Sequence, residues 1–360
     1  DVYKRQRKIV HIIGTGTIGE PLIGILSGRR EELGIEEVSF QPEITSLRNK
    51  ALIKGLISRG AKLCVDEAFA GEFTSVGLKI ECNSREAIQK AAVIIDCSIS
   101  EKGAENKKEL YLKYSGEGKT FIAQSCTPEF GKNYAYGIND DSLIPGEDQF
   151  IRIVSCNAQN IAELVKTLSF DNNGQSNLDW GRFVCIRRAS DISEEKPFIP
   201  SPEVGTHYNK RYGTHHALDA ASLFKTLGYD LDLFSSSMKV NSQYLHIVYF
   251  NIKLKENITL QKVINRFEEN KLIALTNKTL SSLVFSFVRD MGYLGRILNQ
   301  SVVSVSSLNV NNGNEITGFC FTPQDGNSLL SSIAAALWSF FPRSYREKLQ
   351  NLSDLIFDEI

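Results

Sequence analysis

KIVHIIGTGTIGEPLIGIL, residues 8–26, is the stretch on which the reading of the whole chain turns. KIVHII is a short continuous apolar run of the kind that forms a buried strand. GTGTIG, residues 14–19, follows at once and matches the pattern GxGxxG. The residues after it carry a helical pattern that extends to Gly34. A strand, a glycine turn and a helix in that order form a phosphate-binding device. Gly14 permits the tight turn, Gly16 lets a pyrophosphate approach the backbone, and Gly19 lets helix and strand pack closely. The plain alternative is a strand-turn-helix with no ligand, and the position of the motif in a strand–helix alternation favours dinucleotide binding over it.

The alternation continues outward from this stretch. EEVSFQ reads as a strand and ITSLRNKALIKGLIS as a helix. AAVIIDCS is a continuous apolar strand, EKGAENKKELYLKYS a polar helix, and GKTFIAQS another strand. Apolar strands separated by amphipathic helices predict a parallel sheet covered on both faces. The second half differs. RFVCIRRAS, SQYLHIVYFNIKL, SVVSVSSLNV and EITGFCFT are longer strands with alternation, with helices at about 259–269 and 279–291 between them, and Asn312-Gly313 signals a hairpin. The expected architecture is α/β plus α+β. An N-terminal Rossmann-type parallel-sheet domain covers residues 7–154 plus 325–360. A catalytic domain on a mostly antiparallel sheet covers residues 155–324. Residues 1–6 precede the first periodic segment and read as a flank.

The 360 residues are 42% hydrophobic and 23% charged, with a formal net charge of −1. That composition is globular and gives no electrostatic case for nucleic acid or an anionic membrane as partner. No signal peptide or transmembrane run is visible, and the expected location is the cytoplasm. The seven cysteines are odd in number and irregularly spaced, with no CxxC pair, so they read as reduced thiols and not as a disulfide framework or a metal site.

RIVSCNAQNIAELVKTL, residues 152–168, places Cys156 between a strand and the first turn of a helix. A thiol there sits in the positive field of the helix terminus, near free backbone N–H groups able to hold an oxyanion. The plain alternative is a buried core cysteine, the expected lot of Cys97 and Cys185. A nucleophilic thiol needs a base. Of five histidines, His11 lies inside the first strand. His207, His215 and His216 lie in a polar loop. His246 lies on a strand in SQYLHIVYF, on the same face as Tyr244 and Val248, so the loop pair and His246 both stay open as the base. Arg187 and Arg188 end a strand and, with His215 and His216, could form an anion pocket for phosphate. No acid sits at the tip of the second strand, which ends SFQPE. Arg48 and Lys50 lie nearby and could meet a 2′-phosphate, which favours NADP over NAD.

These motifs together resemble the archaeal-type, or class II, glyceraldehyde-3-phosphate dehydrogenases. The likeness rests on GTGTIG, on Ser155-Cys156-Asn157, on Arg187-Arg188-Ala189-Ser190-Asp191, on His215-His216-Ala217-Leu218-Asp219 and on LHIVYF around His246, in that order along residues 8–345. The resemblance implies Cys156 as nucleophile, His246 as its base, and Asn157 shaping the site beside a nicotinamide. It implies phosphate binding by Arg187, Arg188, His215 and His216. The coenzyme set is Gly14, Gly16, Thr17, Ile18, Gly19, Gln41, Arg48, Ser98, Gln124 and, near the nicotinamide side, Gln324. No metal is implied. The implied partners are a small phosphorylated aldehyde or acyl phosphate, inorganic phosphate, and three further copies of the chain in a homotetramer.

The departures carry their own expectation. The family usually follows this Ser-Cys-Asn with two threonines and a glycine, whereas Ala158, Gln159 and Asn160 stand here. Nucleophile and base persist while phosphate ligands have changed. That pattern fits a phosphorylating aldehyde dehydrogenase with an altered acceptor. The alternatives are a semialdehyde dehydrogenase or acyl-phosphate reductase, and a non-catalytic nucleotide-binding relative serving as sensor or assembly partner, against which the retained Cys156 and His246 count.

Overall fold

A computed structural model describes residues 7–42, 49–98, 102–124, 127–194 and 199–360. The chain folds as two units, each built on its own sheet. The first runs to Asn133 and takes in Leu143–Ile153 and Ser331–Asn351. The second comprises Tyr134–Ser142, Val154–Leu330 and Leu352–Ile360. Residues 325–330 and 352–360, assigned from sequence to the nucleotide domain, therefore group with the second unit. Backbone bonds hold the last segment there. Leu298 N–H donates to the Leu355 carbonyl at 2.7 Å, and Leu275 N–H to the Asp358 carbonyl at 2.9 Å. Pairing of main chain leaves no side-chain pattern to read.

The first sheet contains β1 (Ile9–Ile13), β2 (Glu37–Gln41), β3 (Lys62–Val65), β4 (Cys82–Asn83), β5 (Val93–Asp96), β6 (Thr120–Gln124), β7 (Lys132–Tyr134) and β8 (Phe150–Ile153). Their order is β4-β3-β2-β1-β5-β6-β8-β7. Every pairing from β4 through β8 is parallel. Val10, Ile12, Ile94, Ile95 and Ile122 are fully buried, as strands covered on both faces require. The long helix expected after GTGTIG is two helices, Gly19–Gly28 and Arg30–Leu33. The break falls at Arg29, and Gly34 closes the second with a left-handed φ of 73°.

Cys64 and Cys82 correct the expectation of reduced thiols throughout. They are register partners on β3 and β4, with Cα atoms 4.8 Å apart, and form a disulfide. Their separation of 18 residues conceals the pairing, because a parallel crossover brings distant residues onto one rung.

The second sheet contains β9 (Leu178–Arg188), β10 (Glu203–Val204), β11 (Leu233–Val240), β12 (His246–Leu254), β13 (Ile273–Thr276), β14 (Ser301–Ser304), β15 (Asn309–Asn311) and β16 (Glu315–Thr322). The order is β10-β11-β9-β12-β16-β14-β13, with β15 on β16. Two pairs are parallel, β9 with β11 and β13 with β14. In each case a helix, His215–Lys225 or Ser281–Met291, supplies the crossover. The remaining pairs are antiparallel. Asn312 and Gly313 both adopt positive φ, 51° and 79°, in the turn between β15 and β16. The helix Cys156–Ser169 buries Ile161, Leu164, Val165 and Leu168 against Phe183, Val248 and Phe250 of the sheet. This packing fixes the end of the helix that carries Cys156.

Candidate active site

The GTGTIG turn has the geometry its glycines imply. Gly14 has a φ of +93°, and a Cβ there would lie 3.1 Å from the Cys97 carbonyl oxygen. Its N–H donates to the Gln41 carbonyl at 2.8 Å, tying the turn to the tip of β2. A Cβ on Gly19 would fall 2.1 Å from the Gly14 oxygen, whereas one on Gly16 would meet nothing within 4 Å. Gly16 thus leaves an open approach to the backbone, the property needed for a diphosphate. A cavity of about 950 Å³ opens at the carboxyl ends of these strands, and its lining includes Gly14, Gln41, Ser98, Asp66 and Arg85. Its size and position suit a dinucleotide.

Gly14, Gln41 and Ser98 of the expected coenzyme set line this cavity, while Gly16, Thr17, Ile18 and Gly19 build the turn. Gln124 is buried and donates to the Ser332 hydroxyl. Arg48 lies outside the described residues. Asp66, just past β3, and Arg85, just past β4, were missed. Their signal was position at strand tips, which requires the strand assignment to read.

In the second unit Cys156 is the first residue of its helix. Ser155 caps that helix, its hydroxyl accepting from the Ala158 N–H at 3.4 Å. Asn327 fixes the Cys156 carbonyl with a 2.8 Å bond. The Cys156 sulfur, a His246 ring nitrogen and an Asp325 carboxylate oxygen lie within 4.8 Å of one another.

Asp325 escaped the sequence reading, which singled out Gln324 beside it. Gln324 and Asp325 both take positive φ, 34° and 65°. The next residue, Gly326, presses against the Ile297 carbonyl, where a Cβ would lie 1.6 Å away. Two successive non-glycine residues in the left-handed region are costly and persist where surrounding contacts impose them. Gln324 donates to Asp191 and accepts from the Leu245 N–H at 3.4 Å. It is a member of the network around the thiol.

Arg188 is the centre of that network. Its Nη2 lies 2.6 Å from Asp325 and 3.0 Å from Asp191, and Asp191 also pairs with Arg296 at 3.6 Å. The Arg188 backbone N–H donates to His246 Nδ1 at 3.0 Å. The neutral imidazole therefore carries its proton on Nε2. His246 begins β12, and Leu245 before it has a φ of 43°, so Tyr244 falls outside the alternation that His246 shares with Val248.

The electrostatics follow from burial and this charge pattern. Burial, then Asp325, pushes the Cys156 thiol well up, against the opposing charges of Arg188 and Arg187. Burial, then Arg188, brings His246 down to about 3. Burial alone would raise Asp325, but Arg188 and then His246 outweigh it and hold the carboxyl at about 2.

The remaining expected residues divide. His216 is buried, its Nδ1 3.0 Å from the Thr214 hydroxyl and its ring 3.9 Å from that of His215. Burial, then the charges of His215, Arg187 and His246, pushes His216 well below its ordinary value. Arg187, His215 and His216 thus share one electrostatic neighbourhood with His246. Arg188 instead spends its guanidinium on two carboxylates. Asn157 is buried, and its Oδ1 accepts from the Thr322 hydroxyl at 2.9 Å.

No family model matches the chain. It is 26% identical over 317 residues to a glyceraldehyde-3-phosphate dehydrogenase of Pyrococcus abyssi, which covers 84% of each chain. It is 25% identical over 320 residues to the protein of that name in Methanopyrus kandleri, again 84% of each, and 24% identical over 261 residues to that of Archaeoglobus fulgidus, 68% of each. With the parallel and mixed sheets in the same chain, these likenesses make it similar, at 24–26% identity, to archaeal proteins named glyceraldehyde-3-phosphate dehydrogenase.

Proposed function

We propose that the chain is a cytoplasmic, NAD(P)-dependent aldehyde dehydrogenase of the phosphorylating type, with Cys156 as nucleophile. The observation that carries the reading is the placement of the Cys156 sulfur at a helix start, beside His246 and Asp325, in a chain similar to glyceraldehyde-3-phosphate dehydrogenases. The GTGTIG turn and its cavity would hold the coenzyme, which supplies a hydride acceptor when bound. Gln41 at the tip of β2 in place of an acid leaves room for a 2′-phosphate, which favours NADP.

The protein's own part is to bring the sulfur to the aldehyde carbon, to hold the resulting oxyanion with N–H donors, and to carry the acyl group as a thioester. Inorganic phosphate, attracted by Arg187, His215 and His216, then attacks the thioester and leaves as an acyl phosphate. A homotetramer by family likeness completes the reading.

A second substrate is favoured by one observation. Ala158 is fully buried in the core. Gln159 donates to the Val154 carbonyl at 2.9 Å, and Asn160 to the Thr322 hydroxyl at 2.8 Å. Ala158 has no donor to offer phosphate, and the amides of Gln159 and Asn160 are committed to these internal bonds. A semialdehyde dehydrogenase or acyl-phosphate reductase acting on another compound accommodates that.

Rapid mixing of protein, NAD or NADP, and glyceraldehyde 3-phosphate without phosphate tests the proposal. The expected result is a burst of reduced nicotinamide stoichiometric with sites, absent in Cys156→Ser and converted to turnover by phosphate. No burst with either coenzyme would refute the triose-phosphate reading, and a burst with an amino-acid semialdehyde would select the second one.

A further inference from the structure

We propose that the Cys64–Cys82 bridge is a reversible oxidation site that sets the coenzyme affinity of the cavity beside it, tight when bridged and weak when reduced. The inference rests on that cavity being the coenzyme site, as proposed above. The two cysteines stand opposite each other on β3 and β4. Each leads directly into the cavity wall. Asp66 lies two residues beyond Cys64, and Ser84 and Arg85 lie two and three beyond Cys82. All three line the cavity, with Ile88 and Gln89 one turn further on. The helix Ser84–Lys90 carries this side of the wall. Ser84 is 3% exposed, and its hydroxyl has no partner among the described residues, which leaves it for a ligand.

The backbone holds this wall to the sheet over a short span. β4 is two residues long and stands first in the strand order, at the edge of the sheet among the described residues. It meets β3 on two rungs, Cys64 with Cys82 and Val65 with Asn83. The Glu81 N–H adds a bond to the Leu63 carbonyl at 2.9 Å. Asn83 then starts the helix, its Oδ1 accepting from the Arg85 N–H at 2.9 Å, and the helix buries Ser84, Ala87 and Ile88. The closed bridge pins the strand at the point where the wall begins. Reduction leaves the strand to these few contacts. A coenzyme must then order the wall as it binds, against the conformational entropy that the open bridge has released.

Cys82 is the partly exposed member of the pair and Cys64 is fully buried, so a reductant meets the Cys82 side. The reductant is a small dithiol. One of its thiolates bonds to the Cys82 sulfur, the Cys64–Cys82 bond breaks, and Cys64 leaves with the bonding pair and takes a proton. The second thiol of the reductant then displaces Cys82 in the same way. Two electrons and two protons pass from the dithiol, which closes to a cyclic disulfide, to the two cysteines. A low-molecular-weight disulfide reverses the step. Where the surroundings keep thiols reduced, a bridge of this kind is transient and acts as a sensor. The coupling is reciprocal: coenzyme protects the bridge from reduction by the same factor by which the bridge tightens coenzyme binding.

Fluorescence titration of the full chain with NADPH or NADH, before and after dithiothreitol, tests this. Binding should be about 5–150-fold tighter in the bridged protein, the usual span of such couplings. Cys82→Ser should bind as weakly as the reduced protein with no reductant present, and dithiothreitol should not change it. In dithiothreitol buffers of graded oxidised-to-reduced ratio, saturating coenzyme should raise the ratio of bridged to reduced protein by the factor found in the titration. Amide hydrogen exchange across residues 83–90 should quicken on reduction. Equal affinity in the bridged and reduced proteins would overturn the proposal, as would unchanged exchange at those amides or a Cys82→Ser variant that still responds to dithiothreitol. No binding in either state would refute the coenzyme reading of the cavity, which equal binding in both states leaves intact.

Discussion

At Cys156 two kinds of influence favour thiolate and two oppose it. The helix terminus contributes up to ~2 kcal/mol in a partly buried setting, and the charges of Arg188 and Arg187 add to it. Burial can raise a thiol by up to about 3–5 pK units, roughly 4–7 kcal/mol, and Asp325 reinforces burial. The second pair wins, so the activated thiolate that the helix position suggests is a protonated thiol. Glu163, further along the same helix, is a second place where burial decides. Its carboxyl is raised to about 7 by burial, although Asn270 donates to one oxygen at 2.5 Å. An unfolded chain ionises this group near 4.5, so the native state holds the proton more tightly. Stability therefore falls as pH climbs from about 4.5 to 7, by on the order of 3 kcal/mol at most. Glu163→Gln should match wild type in urea unfolding near pH 4.5 and exceed it by about 1–3 kcal/mol at pH 8. The same pH dependence in both proteins would show that Glu163 ionises freely in the fold.

At the level of elements, the local code was legible and the pairing between elements was not. GTGTIG predicted its turn because the restriction is local, since Gly14 needs its positive φ and Gly19 needs the absence of a Cβ. Gly19→Ala should accordingly force the turn open and weaken coenzyme binding by at least about tenfold in fluorescence titration. Binding at wild-type strength would mean that the turn does not hold the ligand. Asn312-Gly313 was readable for the same reason. The two parallel pairs in the second sheet were not, because strand direction depends on where the crossover helix returns the chain. The Cys64–Cys82 bridge and the Asp325 carboxylate were hidden by sequence distance. Asp325 adjoins the one residue of its turn that the family likeness named, and only the positive φ of both residues brings the carboxylate to the sulfur.

For the whole molecule, the division into two units sets which changes should propagate. Gly14, Gln41, Ser98 and the cavity belong to the first unit, and Cys156, His246, Arg188 and Asp325 to the second. Asp325→Asn and Cys156→Ser should leave the coenzyme dissociation constant within about threefold of wild type by calorimetry, while Gly19→Ala should leave the pH profile of Cys156 alkylation by iodoacetamide unmoved. A large cross-effect in either direction would mean that the units are energetically coupled. Among the described residues no helix is long and apolar enough to cross a membrane.

The bond from Asn327 to the Cys156 carbonyl spans 171 residues of sequence, and it has a consequence for how the protein is made. A ribosome adding about 5–20 residues per second needs roughly 10–35 s to reach Asn327 after Cys156 has been joined to the chain. Through that interval neither Asp325 nor the turn that carries it exists. Cys156 therefore spends its first moments as an ordinary thiol, open to oxidants and to chance disulfides. It becomes guarded only when the last partner has been synthesised and folded against it.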